Sequence, residues 1–304
     1  MRKSLFTLVF ATCMAMPAMA CEVCGCSSGG SALGILPQFG KNFAGLRYSY
    51  RQFHTIHPPS IIPGLTGQHS DEYFHTLEAW ARFYPAKRLQ IFGFVPVHFY
   101  SQRTPERSDH IHTIGDITLM ANYIFIKAPD STDRKARHNF QSGLSVKMPT
   151  GRYDIKADGE LLNPNLQPGT GSWDVIFNTA YTVRWKSWGI HSEALYRLNT
   201  ANSHGYKFGD RVTAATKAFY VKEWKKLSLI PAAGAMYEYA FTNADQGSRV
   251  SYTGGNVLSV QAGADLYWNR FSVGINVQAP VWQDLSDGYV YAYPKINTQV
   301  MFLF

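Results

Sequence analysis

The sequence has little charge and no long hydrophobic run. Only 16% of its 304 residues are Asp, Glu, Lys or Arg, against roughly 25% in an average soluble chain. No uninterrupted apolar stretch of about 18 residues follows the first twenty positions, which excludes transmembrane helices. Aromatic residues make up 14% of the chain, far more than disordered proteins carry. The composition therefore predicts a folded chain without helical membrane spans.

The first twenty residues have the pattern of a secretory signal peptide. Two basic residues precede an apolar stretch over 5–16, and Ala18-Met19-Ala20 supplies a small-x-small cleavage site. We therefore predict that residues 1–20 are removed. The formal charge then falls from +8 to 27 − 21 = +6. Because Lys and Arg are scattered singly along the chain, this surplus does not predict nucleic-acid binding.

Cysteine is scarce and confined to the N-terminal region. After cleavage the chain retains Cys21, Cys24 and Cys26, which lie too close together to form a disulfide framework. Their thiolates could bind a soft metal ion such as Cu(I) or Zn. Alternatively, one pair could be oxidised in an export compartment, or Cys21 could carry a lipid. The sequence leaves these alternatives open and predicts a separate Cys/Gly/Ser-rich segment over 21–42.

From residue 43 onward, apolar and polar side chains alternate with a period of two. In the last segment, for example, Val300 and Phe302 share one face while Asn297 and Gln299 share the other. Such alternation predicts β-strands whose two faces meet different surroundings. Twelve segments show it: 43–54, 72–84, 88–101, 111–126, 138–149, 172–185, 188–199, 210–222, 227–240, 257–268, 270–281 and 291–304.

The lengths of the connections alternate as well. If the first strand runs outward, the outer connections are long and the inner ones short, with 127–137 as the exception. Outer-membrane barrels have this asymmetry and an even number of strands, and closure leaves no strand edge unpaired in lipid. The sequence therefore predicts an all-β fold over 43–304, a transmembrane antiparallel up-and-down β-barrel of about twelve strands. A secreted β-sandwich, the alternative, has no reason to sort its loops by parity.

The polar faces of the predicted strands would place charges of both signs inside the barrel. Such charges need partners that offset their desolvation, so they could be ion pairs that brace the wall. They could also form a polar constriction that selects solutes. The candidate lumen residues are Arg47, Arg51, Glu78, Arg82, Asp116, Lys147, Asp174, Arg184, His191, Glu193, Arg197, Glu238 and Asp265.

No catalytic motif accompanies these strands. The chain has neither a Gly-x-Ser-x-Gly nucleophile elbow nor a phosphate-binding glycine loop. We therefore expect no enzymatic activity. A lipid hydrolase would need a Ser and His pair at one height on the lipid face, and this is a third hypothesis beside a channel and a binding protein.

Three short motifs resemble those of a known family. They are 114–119 (Ile-Gly-Asp-Ile-Thr-Leu), 146–151 (Val-Lys-Met-Pro-Thr-Gly) and 167–174 (Gln-Pro-Gly-Thr-Gly-Ser-Trp-Asp). Their order and spacing are similar to those of the outer-membrane barrel family named after a MetA pathway of phenol degradation. The resemblance covers roughly residues 40–304. It implies a channel of the same broad sort as the fatty-acid and aromatic-hydrocarbon porins. The Cys-rich head resembles a subgroup from Bacteroidetes-like bacteria.

Glycine and proline in these motifs also predict how the longest outer loop behaves. A tight bend near Gly169 and Gly171 would place 152–168 over or into the mouth of the barrel. Loops of that kind are commonly gates or binding lips.

Together these observations predict a monomeric channel for a small, partly hydrophobic solute in the outer membrane of a Gram-negative bacterium. Its partners would be outer-membrane lipid, the solute and the outer-membrane assembly machinery. No cofactor is expected, apart from a soft metal ion at the cysteines. The alternative is a barrel-anchored binding or metal-handling protein in which Cys21, Cys24 and Cys26 bind the ligand.

Overall fold

The structure, a computed structural model, describes residues 41–57, 69–105, 108–127, 136–157 and 159–304. The predicted signal peptide, the cysteines Cys21, Cys24 and Cys26, and nearly all of the 21–42 segment lie outside the described residues. Within the described ranges, no helix is long and apolar enough to cross a membrane. The same ranges hold no cluster of three His, Cys, Asp or Glu residues arranged to hold a metal ion.

Twelve antiparallel strands form the wall of a closed barrel. Each strand pairs with the next along the chain, and β12 pairs with β1 from Phe43↔Leu303 to Tyr50↔Ile296. The predicted all-β, up-and-down barrel is therefore confirmed. The strands are β1 (Phe43–Ile56), β2 (His69–Ala86), β3 (Leu89–Arg103), β4 (Ser108–Ile114 and Thr118–Ile126), β5 (Arg137–Lys147), β6 (Asp174–Trp185), β7 (Trp188–Leu198), β8 (Arg211–Tyr220), β9 (Leu227–Ala240), β10 (Gly255–Trp268), β11 (Phe271–Leu285) and β12 (Lys295–Leu303).

In the described parts of the connections, all elements are short. The connections between β5 and β6, β7 and β8, β9 and β10, and β11 and β12 lie at one end, here called the loop end. The connections 186–187, 221–226 and 269–270 lie at the opposite end, the turn end. The short elements are Lys156–Ala157, Glu160–Leu161, Tyr206–Lys207, Lys222–Glu223, Ala244–Asp245, Ser248–Arg249 and Val290–Ala292, with 3-10 turns at Pro164–Leu166 and Ser286–Gly288.

The fourth strand is interrupted where the sequence predicts one unbroken segment over 111–126. The gap is residues 115–117. There the backbone bonds to the connection between β5 and β6: Ile117 N donates to the Thr150 hydroxyl at 2.9 Å, and Met148 N donates to the Ile117 carbonyl at 2.8 Å. A contact between residues distant in sequence therefore replaces the regular strand pairing. The alternation of side chains within the strand does not predict this interruption.

The last two strands also differ from their predicted bounds. β11 runs to Leu285 rather than to 281, and its pairing with β10 shifts register between Leu258 and Ser259. β12 begins at Lys295 rather than at 291, because Val290–Ala292 forms a separate short strand that pairs with the end of β1.

The outer face of the barrel is apolar. Large side chains such as Leu46, Phe177, Ile275 and Val300 are about half exposed there. Exposed aromatic rings flank this band at both ends: Trp173 and Trp282 at the loop end, and Trp185, Trp188, Trp268 and Phe271 at the turn end. An apolar band between aromatic girdles is the surface that a transmembrane barrel presents to lipid.

The inner face is layered along the barrel axis. An apolar cluster near the turn end includes Phe43, Trp80, Phe92 and Phe219, and we call it the inner cluster. A second, the outer cluster, lies near the loop end and contains Phe53, Phe74, Tyr100, Ile111, Leu162, Leu166, Leu285 and Val290. Polar side chains such as Thr76, His98 and Gln261 line the wall between them. The lumen is therefore apolar toward each end and polar between the two clusters.

Candidate functional site

The longest connection, 148–173, folds into the loop end of the barrel. Every residue from Asn165 to Thr170 is buried. Leu162 and Leu166 belong to the outer cluster together with Phe74 of β2 and Tyr100 of β3. The sequence predicts 152–168 over or into the mouth, and the structure places Leu162 and residues 165–168 of this segment among the inward-facing side chains.

One side chain within this connection holds its two arms together. The Gln167 amide donates to the carbonyls of Ile155 at 2.9 Å and Leu162 at 3.2 Å, and its oxygen accepts from Ile155 N at 3.1 Å. These bonds satisfy backbone groups that burial would otherwise leave unpaired. The connection is therefore held together by its own hydrogen bonds, and we call it the lobe.

Asp116 ties this lobe to the barrel wall. Its Oδ1 accepts from Gly151 N at 2.9 Å, and its Oδ2 accepts from Thr170 N at 2.9 Å and the Thr170 hydroxyl at 3.0 Å. Gly151 lies near the start of the connection and Thr170 near its end. A single carboxylate from the gap in β4 therefore holds both ends of the lobe.

Lys147 completes this network from the end of β5. Its ammonium pairs with Asp116 at 3.1 Å, contacts Asp174 at the start of β6, and donates to the Thr170 hydroxyl. The Lys147, Asp116 and Asp174 side chains are only 3%, 6% and 1% exposed. We call Asp116, Lys147, Thr170 and Asp174 the loop anchor. It joins all three of the short sequence motifs.

Three glycines let the backbones meet beside the anchor. A Cβ added at Gly151 would lie 2.8 Å from Gly169 Cα and 2.9 Å from the Gly115 carbonyl carbon. A Cβ at Gly169 would lie 2.7 Å from Gly151 Cα. Atoms this close must move apart, and here they are backbone atoms rather than flexible side-chain ends. Each motif therefore contributes one glycine to a contact that excludes side chains.

We expect Gly169→Ala to destabilise the barrel by about 1–3 kcal/mol, the usual range for overpacking. The lobe should also become more accessible to protease. Gly93→Ala is the matched control, because its Cβ would meet only Leu119 Cδ2 at an ordinary 3.7 Å. Urea unfolding followed by tryptophan fluorescence measures both. Equal unfolding midpoints for the two variants would contradict the tight contact.

The remaining candidate lumen residues do not form one ring. Arg47 pairs with Glu78 between β1 and β2, and the Arg51 guanidinium lies 5.5 Å from the centre of the Phe74 ring. Asp265 Oδ1 accepts from Gln299 at 2.8 Å. These groups lie between the apolar clusters or against them, each with its own partner.

Other candidate lumen residues lie on β7 and at the turn end, outside the loop anchor. His191 shares a hydrogen bond with Thr182 at 2.8 Å, and its Nε2 is 3.9 Å from Glu193. Arg197 is also buried, further along β7. At the turn end, Arg82 donates to the Lys41 carbonyl at 2.8 Å, and Arg184 pairs with Glu223 at 3.2 Å. The predicted set is thus spread along the whole barrel.

A cavity lies inside the loop end, between β1 and β8–β12. It holds about 670 Å³ of empty space, part of it open to solvent. Arg51 and Glu238 line it, as the sequence predicts for inward-facing residues, and so do Arg211 and Lys295. Arg211 Nη1 donates to Glu238 Oε1 at 2.7 Å. Apolar side chains, among them Phe53, Met236, Val257 and Leu285, form the rest of the wall.

Arg211 and Lys295 are functional candidates that the sequence prediction missed. The alternation of polar and apolar residues does indicate an inward position for Lys295, which shares the face of Asn297 and Gln299 within the predicted last segment. It was weak for Arg211, because the inward residues that follow it on β8 include Thr213 and Ala215, which contrast little with their outward neighbours. Both residues lie where a strand begins, so alternation has little sequence on one side to support it.

No protein-family model matches this sequence, and no curated protein matches it either. Solved structures do resemble the fold. The COG4313 outer membrane channel from Pseudomonas putida F1 is 13% identical, with a TM-score of 0.61 over 87% of this chain and 96% of that one. The β domain of the Bordetella autotransporter BrkA is 8% identical, with a TM-score of 0.51 over 87% of this chain and all of the other. The chain therefore has the fold of outer-membrane barrels.

Proposed function

We propose that this protein is a channel for a small, partly hydrophobic solute in the outer membrane of a Gram-negative bacterium, and that it does no covalent chemistry on that solute. The observation that carries the proposal is the cavity inside the loop end, which combines apolar and charged walls. Mostly apolar pockets with a few placed polar groups are typical of small-molecule sites. The fold shared with the outer membrane channel of Pseudomonas putida F1 supports it.

The two sides of the lumen differ, which indicates a route for the solute. Inward residues of β2–β7 such as Thr76, His98 and Asn178 are almost all buried. Several inward residues of β9–β12 and β1 are partly exposed: Arg47, Ser49, Glu238, Asp265, Asn276, Lys295, Asn297 and Gln299. This difference in exposure supports a path along the side formed by β9–β12 and β1. We propose this polar side as the path.

The finer expectations belong to the same proposal. Membership of the MetA-pathway family and of its Cys-rich subgroup rests on the three motifs. The structure gives those motifs a physical role, since each contributes to the loop anchor. Selection by the charged lumen residues stays a prediction, as do insertion by the assembly machinery and a monomeric state.

Reconstitution of the purified chain into liposomes tests the proposal. We expect a band that shifts on a denaturing gel after boiling, as closed barrels show. We also expect entry of benzyl alcohol, a small and partly apolar probe, at a rate above that of protein-free liposomes. A shifting band with no increase in permeability would overturn the channel and favour the alternative, a barrel-anchored binding or metal-handling protein that uses Cys21, Cys24 and Cys26.

A further inference from the structure

We propose that the cavity inside the loop end binds small amphipathic organic anions, in which an acid group is attached to an aromatic or aliphatic body. The proposal rests on the proposed function, because it names the chemical class of solute that such a channel would take. It depends on the charges of the cavity, on one lysine within it and on the neighbouring apolar wall.

The charged groups that line the cavity are mostly cationic. Arg51, Arg211 and Lys295 oppose a single carboxylate, Glu238. That carboxylate already accepts from Arg211 at 2.7 Å. Cations removed from bulk water need compensating negative charge. An organic anion would place a further negative charge beside Lys295 without a change in the protein.

Lys295 contributes most directly to the excess of positive charge in the cavity. It is partly buried at the start of β12. Among the residues that the structure describes, no carboxylate lies within 4 Å of its ammonium. Its electrostatic neighbours are three arginines, Arg51, Arg47 and Arg211, and one acid, Glu238. An acid group beside Lys295 would therefore be attracted by Lys295 and Arg51, while Arg47 and Arg211 already pair with Glu78 and Glu238.

The apolar side chains of the cavity fit the apolar part of such a ligand. Phe53 and Leu285 line the cavity and belong to the outer cluster. Val257 and Ala292 pack against that cluster and face the same space. Burying apolar surface there stabilises a bound ligand by about 25 cal/mol per Å². The cavity thus combines cationic groups with apolar side chains.

Equilibrium binding to the full chain in detergent tests the proposal, with benzoate and benzyl alcohol as probes. The two share a ring and differ in charge at pH 7. We expect benzoate to bind at least tenfold more tightly than the alcohol. Lys295→Gln should weaken benzoate about tenfold and leave the alcohol unchanged. Lys226→Gln, an exposed lysine in the turn between β8 and β9, is the matched control and should change neither.

A second variant separates loss of charge from loss of structure. Glu238→Gln removes the carboxylate of the cavity, so benzoate should bind more tightly, a result that misfolding would not give. Equal affinity for the two probes, or no effect of Lys295→Gln, would overturn the anion site. Liposomes permeable to benzyl alcohol would in that case still support the channel. Specific benzoate binding with impermeable liposomes would support the site and overturn the channel.

Discussion

Lys147→Met is expected to lower the free energy of unfolding by about 3–5 kcal/mol, the range for removing one partner of a buried ion pair. Lys147 is the only cation within 4 Å of Asp116 and Asp174 among the described residues. Without it, two carboxylates no more than 6% exposed would share one buried site. They would repel each other as well as lose solvation. Urea unfolding measured by tryptophan fluorescence gives the change directly.

The same variant should release the lobe at the loop end. Thr170 would lose the ammonium that donates to its hydroxyl, and Asp174 its cationic partner. Trypsin should then cut the folded protein after Arg152 or Lys156, both within the connection 148–173. If the lobe restricts passage, the rate of benzyl alcohol entry into liposomes should rise with the cleavage.

Two further variants test whether the loss of stability in Lys147→Met is caused by the loss of its charge. Lys207→Met is the matched control, because Lys207 is 40% exposed and its pair with Asp210 is 3.4 Å long. Exposed pairs contribute about 0–1 kcal/mol, so this variant should remain near the parent protein. Combining Lys147→Met with Asp174→Asn removes one of the two carboxylates and should recover part of the lost stability. Equal losses for Lys147→Met and Lys207→Met would exclude the anchor as a stabilising element.

The fold was predictable because it depends on patterns that are local in sequence. Alternation along β9 predicted 227–240, and the structure has Leu227–Ala240. A period of two assigns every residue of such a strand to the lipid side or the lumen side. Loop parity then fixed which end each connection occupies. Alternation and loop parity both arise because the barrel wall is a single sheet whose two faces meet different surroundings.

The anchor was only partly predictable. Asp116, Lys147 and Asp174 were each assigned to the inner face, but nothing in the alternation indicated that they meet. Their meeting follows from topology: β4, β5 and β6 are neighbours in the wall, and the gap in β4 that holds Asp116 lies beside the loop ends of β5 and β6, where Lys147 and Asp174 lie. Short polar motifs at the same height on adjacent strands are therefore a signal for such clusters. The gap at 115–117 could not be read locally, since Asp116 faces a segment more than thirty residues away.

Opening the turn end should have the second large effect, and Trp80→Ala is the variant that tests it. Trp80 is 3% exposed in the inner cluster. Its ring lies 4.6 Å from Phe43, edge to face, and 6.3 Å from Phe94, stacked. Truncating a buried tryptophan typically costs about 3–5 kcal/mol. The cavity left behind would adjoin Arg47, whose guanidinium lies 5.1 Å from the Trp80 ring.

That position gives the variant a functional consequence as well. The partly exposed side of the lumen includes Arg47, and the inner cluster packs beside it toward the turn end. We therefore expect Trp80→Ala to raise single-channel conductance in planar bilayers at least twofold while lowering stability. Trp224→Ala removes a half-exposed ring from the turn between β8 and β9 and should leave the conductance unchanged. An unchanged conductance in Trp80→Ala, with the expected loss of stability, would place the narrowest point at the loop anchor instead.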